Sequence, residues 1–203
     1  CGAEGELTCS CNARVNIPKA LEYALFQGKD IICDIECAGL KNNGKFDTYD
    51  ELYQEFVRQL RYLSKCAMDS TDIYEELNPA TFSAAFLSSS YKSAMEKGRD
   101  LHNGFGAKYN NSSVNAIGLA TATDSLYAIK KLVFEDRELT LDELKDILRS
   151  NWEGNEALRY RIINKIPKYG QDNDEVDSIA KNIVNVLSDE VSNKPNKKTG
   201  VYR

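Results

Sequence analysis

The residues best suited to chemistry stand at the start of the chain, where Cys1-Gly2-Ala3-Glu4 puts a thiol and a carboxylate close together in a stretch with no helical period. A cysteine on a loop, rather than on a buried helix face, can meet a substrate, and a carboxylate nearby can take or give the proton of a substrate hydroxyl. Cys9, Cys11, Cys33 and Cys37 add a metal hypothesis, because thiolates are good zinc and iron–sulfur ligands. Their spacing argues against it: there is no Cys-x-x-Cys pair, Cys9-Ser10-Cys11 is a poor chelate alone, and a predicted helix separates it from Cys33 and Cys37. Cys33, Cys37 and Cys66 are expected to be small apolar filler, so no metal site and no bound cofactor is expected on this chain. His102, the only histidine, stands in a turn and reads as a satisfied polar residue. Gly104, Gly106 and Lys108 lack the spacing of a phosphate loop and predict a turn with close backbone approach. Asp124 is read as a helix cap, with a pocket-lining role as the alternative.

Residues 1–16 hold Cys1 and Glu4 on an irregular, glycine-containing loop. Pro18 then suits a first helical turn, Ile17, Ala20, Leu21, Ala24 and Leu25 follow the helical period, and Gly28 predicts the stop. Ile31 to Glu36 reads as a short strand and Leu40 to Phe46 as a turn. Thr48-Tyr49-Asp50-Glu51 is a capping box that opens a long helix to about Leu77, before Pro79. In the run from Tyr91 to Glu135, Gly98 closes a helix and Gly104 and Gly106 allow turns with positive φ. Val114 to Ala120 is the predicted strand, after which Asp124 caps a helix from Ser125 to Phe134. A second capping box, Thr140 to Glu143, precedes Leu144, Ile147 and Leu148. Ala157 to Ile163 forms a helix ended by Pro167, and Val176 to Leu187 the last one. From Ser192 the chain is polar and helix-breaking, which predicts an exposed connector.

Composition bounds the partners. A length of 203 residues, a net charge of -5 and 28% charged residues suit a water-soluble chain able to bury a sizeable core. No basic block precedes the tail, so nucleic acid is not an expected partner, and no apolar run is long enough for a membrane span. Six cysteines in a helix-rich chain fit a reducing cytoplasm better than a disulfide scaffold.

The motifs resemble those of the pyruvate formate-lyase or glycyl radical enzyme superfamily. The likeness rests on Lys97-Gly98-Arg99-Asp100, Gly106-Ala107-Lys108-Tyr109-Asn110, Gly118-Leu119-Ala120-Thr121 and the run from Asp124 to Val133. Asn151-Trp152-Glu153-Gly154, the run from Pro167 to Asp172, and Val176 to Ala180 follow in that family's order and spacing. The resemblance also places a helix like Lys19 to Leu25 just after the catalytic cysteine loop. It implies an α/β, mostly helical fold: a segment of a ten-stranded α/β barrel, with residues 1–191 in the barrel and 192–203 a connector toward a missing glycyl radical domain. An incomplete barrel has open sheet edges, which predicts low stability for the chain alone.

By the same resemblance Cys1 is the thiyl position that abstracts a substrate hydrogen atom, and Glu4 is the general base of a dehydratase or lyase. Dehydratase-type members place one residue between cysteine and glutamate, where Cys1-Gly2-Ala3-Glu4 has two. The substrate would be a small polar molecule such as a diol, an amino alcohol or a 2-oxo acid. The alternative is formate C-acetyltransferase activity, although that enzyme's adjacent pair of cysteines does not occur here. A further alternative is a non-catalytic helical fragment or degenerate homologue that packs on a partner. The glycyl radical itself is implied to lie on a segment missing here and to be installed by an S-adenosylmethionine-dependent activating enzyme. No glycine of this chain stands in the Arg-Val-x-Gly-Tyr context, so the chain alone is expected to be inactive. Expected partners are the substrate, the activating enzyme and the rest of the polypeptide, and a homodimer of the full-length enzyme is left open. Beginning at Cys1, the chain reads as a processed product or a fragment; the family motifs set aside a bacterial lipoprotein.

Overall fold

The computed structural model describes residues 13–37, 41–81, 83–101 and 105–203. The elements are β1 (Ala13–Asn16), α1 (Ile17–Leu25), α2 (Tyr49–Thr81), α3 (Ala85–Ser88), α4 (Lys92–Lys97), β2 (Val114–Ile117), α5 (Leu119–Ile129), a π-helical stretch (Lys130–Glu135), α6 (Leu141–Arg149), α7 (Glu156–Asn164) and α8 (Asp174–Val191). They fall into two compact units: one takes Asn16–Tyr62 and Gly118–Val186, the other the residues up to Val15, Leu63–Ile117 and Leu187–Arg203.

The first unit is helical. Asn16 starts α1 by accepting from the Lys19 amide at 3.3 Å, Pro18 sits in the first turn, and Ile17, Ala20, Leu21, Ala24 and Leu25 are buried. Helix α5 packs on α1, and the approach needs Gly118: its φ is +85°, and a Cβ there would stand 2.7 Å from Pro18 Cδ. The segment from Ile31 to Glu36, expected as a strand, is a turn with a single antiparallel bridge between Lys29 and Glu36. Asp30 is the reason. Its Oδ1 accepts from the amides of Ile32 and Cys33, both at 2.9 Å, which closes a local turn in place of a ladder. Those amide bonds, the Cys33 one foremost, then Lys19, hold the Asp30 carboxyl down at about 2.

The capping box of α2 is present: Glu51 N donates to Thr48 Oγ1 at 3.2 Å and Thr48 N to Glu51 Oε2 at 3.4 Å. The helix runs on to Thr81, through Pro79, rather than stopping near Leu77. Helix α5 begins at Leu119, so the strand is shorter than expected and Asp124 is not its cap. Gly118 in the left-handed region ends the strand, and Leu119 and Ala120, strong helix formers, start the helix at once. Asp124 Oδ1 instead accepts from the Tyr169 amide at 2.8 Å. The Thr140 to Glu143 capping box of α6 forms as expected.

The π-helical stretch carries two lysines that meet two glutamates. Lys130 pairs with Glu175 and lies 3.3 Å from Glu135, and Lys131 lies 2.5 Å from Glu135 and 3.2 Å from Glu175. The ammonium groups hold both carboxyls below their usual range, Lys130 chiefly for Glu175 and Lys131 for Glu135. A depressed carboxyl adds stability that is present above its unfolded value, about 4.3, and lost as pH falls through the folded value. Thermal melts of the wild type are therefore expected to drop on acidification through this range, and those of Lys130→Met to drop less; equal slopes would contradict the assignment. The groups are partly exposed, so the effect is modest.

The second unit holds the sheet. Ala13 N donates to Ser113 O at 3.1 Å where β1 and β2 both begin, so the two strands run parallel. Residues 201–203 lie along the other side of the central strand: Ser112 N donates to Val201 O at 3.1 Å, Arg203 N to Ser112 O at 2.9 Å and Val114 N to Arg203 O at 3.1 Å. The exposed connector expected from Ser192 onward is thus corrected. Tyr202 is 1% exposed and Lys198 6%, because the polar groups of this segment bond to the backbone and side chains of residues 110–114. Gly98 ends α4 with a φ of 59°, as expected. Phe105, not Gly106, has the positive φ; Gly106 serves close approach, since a Cβ there would meet Arg99 O at 2.5 Å. Among the described residues no helix is long and apolar enough to cross a membrane.

Candidate functional site

Cys1 and Glu4 lie outside the described residues, as do Cys9, Cys11, His102 and Gly104. What the structure describes is the strand that follows residues 1–12 in the chain, and the residues that hold it. Strand β1 starts at Ala13, and its first amide is fixed to Ser113 of β2. Strand β2 in turn continues residues that the C-terminal segment grips. Any chemistry at residues 1–4 is therefore tethered, nine residues on, to the start of a strand whose neighbour is itself clamped.

The clamp is polar and buried. Glu75 of α2 and Lys198 form an ion pair at 3.0 Å, with side chains 2% and 8% exposed. Ser112 Oγ donates to Glu75 Oε1, and Asn196 Nδ2 stands 2.8 Å from Ser112 Oγ and 2.7 Å from the Asn110 carbonyl. Asn196 Oδ1 accepts from the amides of Lys198 at 3.1 Å and Gly200 at 2.7 Å, which shapes the loop that carries the lysine. Next to it Tyr202 Oη lies 2.6 Å from Asp72 Oδ1 and 3.0 Å from Met68 O. Burial, and then Asp72, push its phenol well above the usual tyrosine value, so Tyr202 is a neutral anchor. The sequence reading missed this cluster. Its signal was the spacing of Met68, Thr71 and Glu75, which puts an acid on the buried stripe of α2.

The remaining candidates separate. Cys33 and Cys66 are exposed and Cys37 is half-buried, with its Sγ donating to Tyr23 Oη at 3.3 Å. The filler role expected for Cys33 and Cys66 is thereby corrected: Cys33 sits in the Asp30 turn and Cys66 on the outer face of α2. Lys108 Nζ stands 5.3 Å from the Tyr109 ring centroid, a cation–π contact. In the helical unit a cleft of about 300 Å³ is lined by Leu21, Leu25, Ala128, Leu144, Trp152 and Ile162 among others. Its one acid, Glu22, is engaged by Lys19 at 2.8 Å and the Ile31 amide at 3.1 Å. That cleft has the character of a packing surface.

Comparison with known proteins gives one answer. The pyruvate formate lyase-like family matches residues 2–203. The trans-4-hydroxy-L-proline dehydratase of Clostridioides difficile is 36% identical over 193 residues, 93% of this chain and 24% of that protein. The (2S)-3-sulfopropanediol dehydratase of Klebsiella oxytoca is 34% identical over 178 residues, 83% of this chain and 21% of that protein. Among solved structures, hydroxyproline dehydratase from Clostridioides difficile with trans-4-hydroxy-L-proline bound superposes with a TM-score of 0.83 at 35% identity, covering 94% of this chain and 24% of that one. The chain thus spans less than a quarter of the length of these relatives.

Proposed function

Because the chain belongs to the pyruvate formate lyase-like family of glycyl radical enzymes, with the fold of a segment of their barrel, we propose that it is the part of such an enzyme that carries the hydrogen-abstracting cysteine, acting on a small polar substrate by elimination. The observation that carries this reading is the similarity, along 93% of the chain, to a dehydratase, with a second dehydratase close behind. The glycyl radical of the full-length protein, installed by an S-adenosylmethionine-dependent activating enzyme, supplies the means of turning the Cys1 thiol into a thiyl.

The Cys1 thiyl then takes a hydrogen atom from the substrate carbon that bears a hydroxyl, so the S–H bond forms as the C–H bond breaks. Glu4 removes that hydroxyl's proton, and the radical electron and the oxygen lone pair together expel the leaving group from the neighbouring carbon, as water when the leaving hydroxyl takes up a proton. The product radical recovers a hydrogen atom from Cys1, which restores the thiyl. Glu4 follows Cys1 by one residue more than in dehydratase-type members, a difference of at most about 3.6 Å of chain. Formate C-acetyltransferase chemistry is the weaker reading because the two relatives named above are dehydratases.

The test is made on the full-length protein, activated without oxygen and offered 1,2-propanediol, ethanolamine, or pyruvate with coenzyme A. Loss of water or ammonia from one of the first two, with no acetyl-coenzyme A from the third, is the expected result. Acetyl-coenzyme A formation would move the assignment to the acetyltransferase.

A further inference from the structure

On the reading above that this chain is one part of a longer enzyme, we propose that the turn from Asp30 to Ile35 is a docking knob, whose isoleucines seat in an apolar pocket of the remaining polypeptide.

The turn shows apolar side chains to solvent where a surface turn ordinarily shows polar ones. Ile31 is 37% exposed, Ile32 84% and Ile35 61%, and Cys33 is exposed between them. The apolar surface runs on into the cleft of the helical unit, which Ile31 lines together with Leu21, Leu25, Trp152 and Ile162. Contiguous apolar surface marks a contact site, and left bare it is an aggregation liability.

The turn is also built to hold its shape. Asp30 Oδ1 takes the amides of Ile32 and Cys33, while Asp30 Oδ2 lies 3.0 Å from Lys19 Nζ of α1. Glu22, on the same helix, accepts from the Ile31 amide at 3.1 Å. Across the base of the turn, Asp30 N donates to Ile35 O and Cys37 N to Gly28 O, both at 2.9 Å. Three charged side chains thus brace a stretch that displays isoleucine. A loop already fixed in this way has met the ordering cost that docking would otherwise impose.

Size selects the occupant. Three isoleucines expose far less than the about 800 Å² per partner that a stable complex of separate proteins buries, so the knob is too small to hold a second copy or a foreign chain by itself. A segment of the same polypeptide docks without losing translational freedom, and for it a small contact suffices. The relatives show that such a segment has room to exist: the chain covers only 24% and 21% of the two dehydratases, so most of an enzyme of that kind lies outside it.

Cys33 reports on the contact. The native full-length protein is treated with N-ethylmaleimide at several protein concentrations, and alkylation at Cys33 is read by peptide mass spectrometry against the urea-unfolded protein. Labelling should be slowed by about a hundredfold or more, and equally at every concentration, because a covered thiol reacts only from locally opened molecules. Labelling near the unfolded rate would overturn the proposal. So would protection that appears only where sedimentation shows a dimer, which would give the knob to a second copy. Ile32→Asp puts a charge into the pocket and should speed Cys33 labelling by about tenfold or more; an unchanged rate would also count against the docking. If Ile32→Asp does not fold, the wild-type labelling decides. The substrate assay described above is run on the same preparation. Turnover with a freely reactive Cys33 fails the docking alone, whereas a protected Cys33 without turnover fails the functional reading and leaves the docking standing.

Discussion

Cys1→Ser in the activated full-length enzyme should leave no measurable turnover. The O–H bond of serine is much harder to homolyse than the S–H bond of cysteine, and each 1.36 kcal/mol added to a barrier costs about a factor of ten, so an added 5 or 6 kcal/mol already removes about four orders of magnitude. The substitution replaces one small side chain by another on a stretch without helical period, so melting temperature should hardly change. Cys9→Ser and Cys11→Ser should be mild by comparison. Retained activity in Cys1→Ser, with loss in either of the other two, would move the assignment along the same segment.

Glu4→Gln should lower kcat by about 10² to 10⁴-fold, the usual contribution of a positioned acid or base. An amide of nearly the same shape keeps the volume but cannot take the hydroxyl proton, so the first hydrogen transfer survives and the elimination stalls. Glycyl radical content should be unchanged, which separates this variant from one that fails to activate. A kcat within about twofold of wild type would remove Glu4 from the mechanism and leave the base to a residue elsewhere in the full-length protein.

How much of this was legible in the sequence depended on the range of the interaction involved. The capping boxes at Thr48 and Thr140 are contacts over three residues, and both formed where expected. The αL turn at Gly98 is equally local. Asp124 failed as a cap because its partner, the Tyr169 amide, is 45 residues away, and Gly118 had already begun the helix. Ile31 to Glu36 looks like a strand by residue type, but the Asp30 carboxylate captures the two amides that a ladder would have used. The tail after Ser192 was misread for a similar reason. Lys198 and Asn196 are bonded by Glu75 and by the backbone of residues 110–111 rather than by water, whereas Lys194 and Lys197 make ion pairs at the surface. Composition reports polarity; it does not report which polar groups find each other. The family motifs, in contrast, were legible because they are local strings, and they lie within residues 2–203, which the family match covers.

The claim that most needs testing is that the Cys1 thiol exchanges hydrogen with the glycyl radical of the intact enzyme, and one measurement addresses it without knowing the substrate. A thiol proton exchanges with solvent, so in D₂O an activated enzyme whose cysteine hands its hydrogen back and forth with the radical glycine will replace the glycine's α-proton by deuterium. The α-proton splitting in the electron paramagnetic resonance signal should therefore collapse in D₂O for the wild type and persist in Cys1→Ser. A splitting that collapses equally in Cys1→Ser, or persists in both proteins, would contradict the assignment of Cys1 as the thiyl residue.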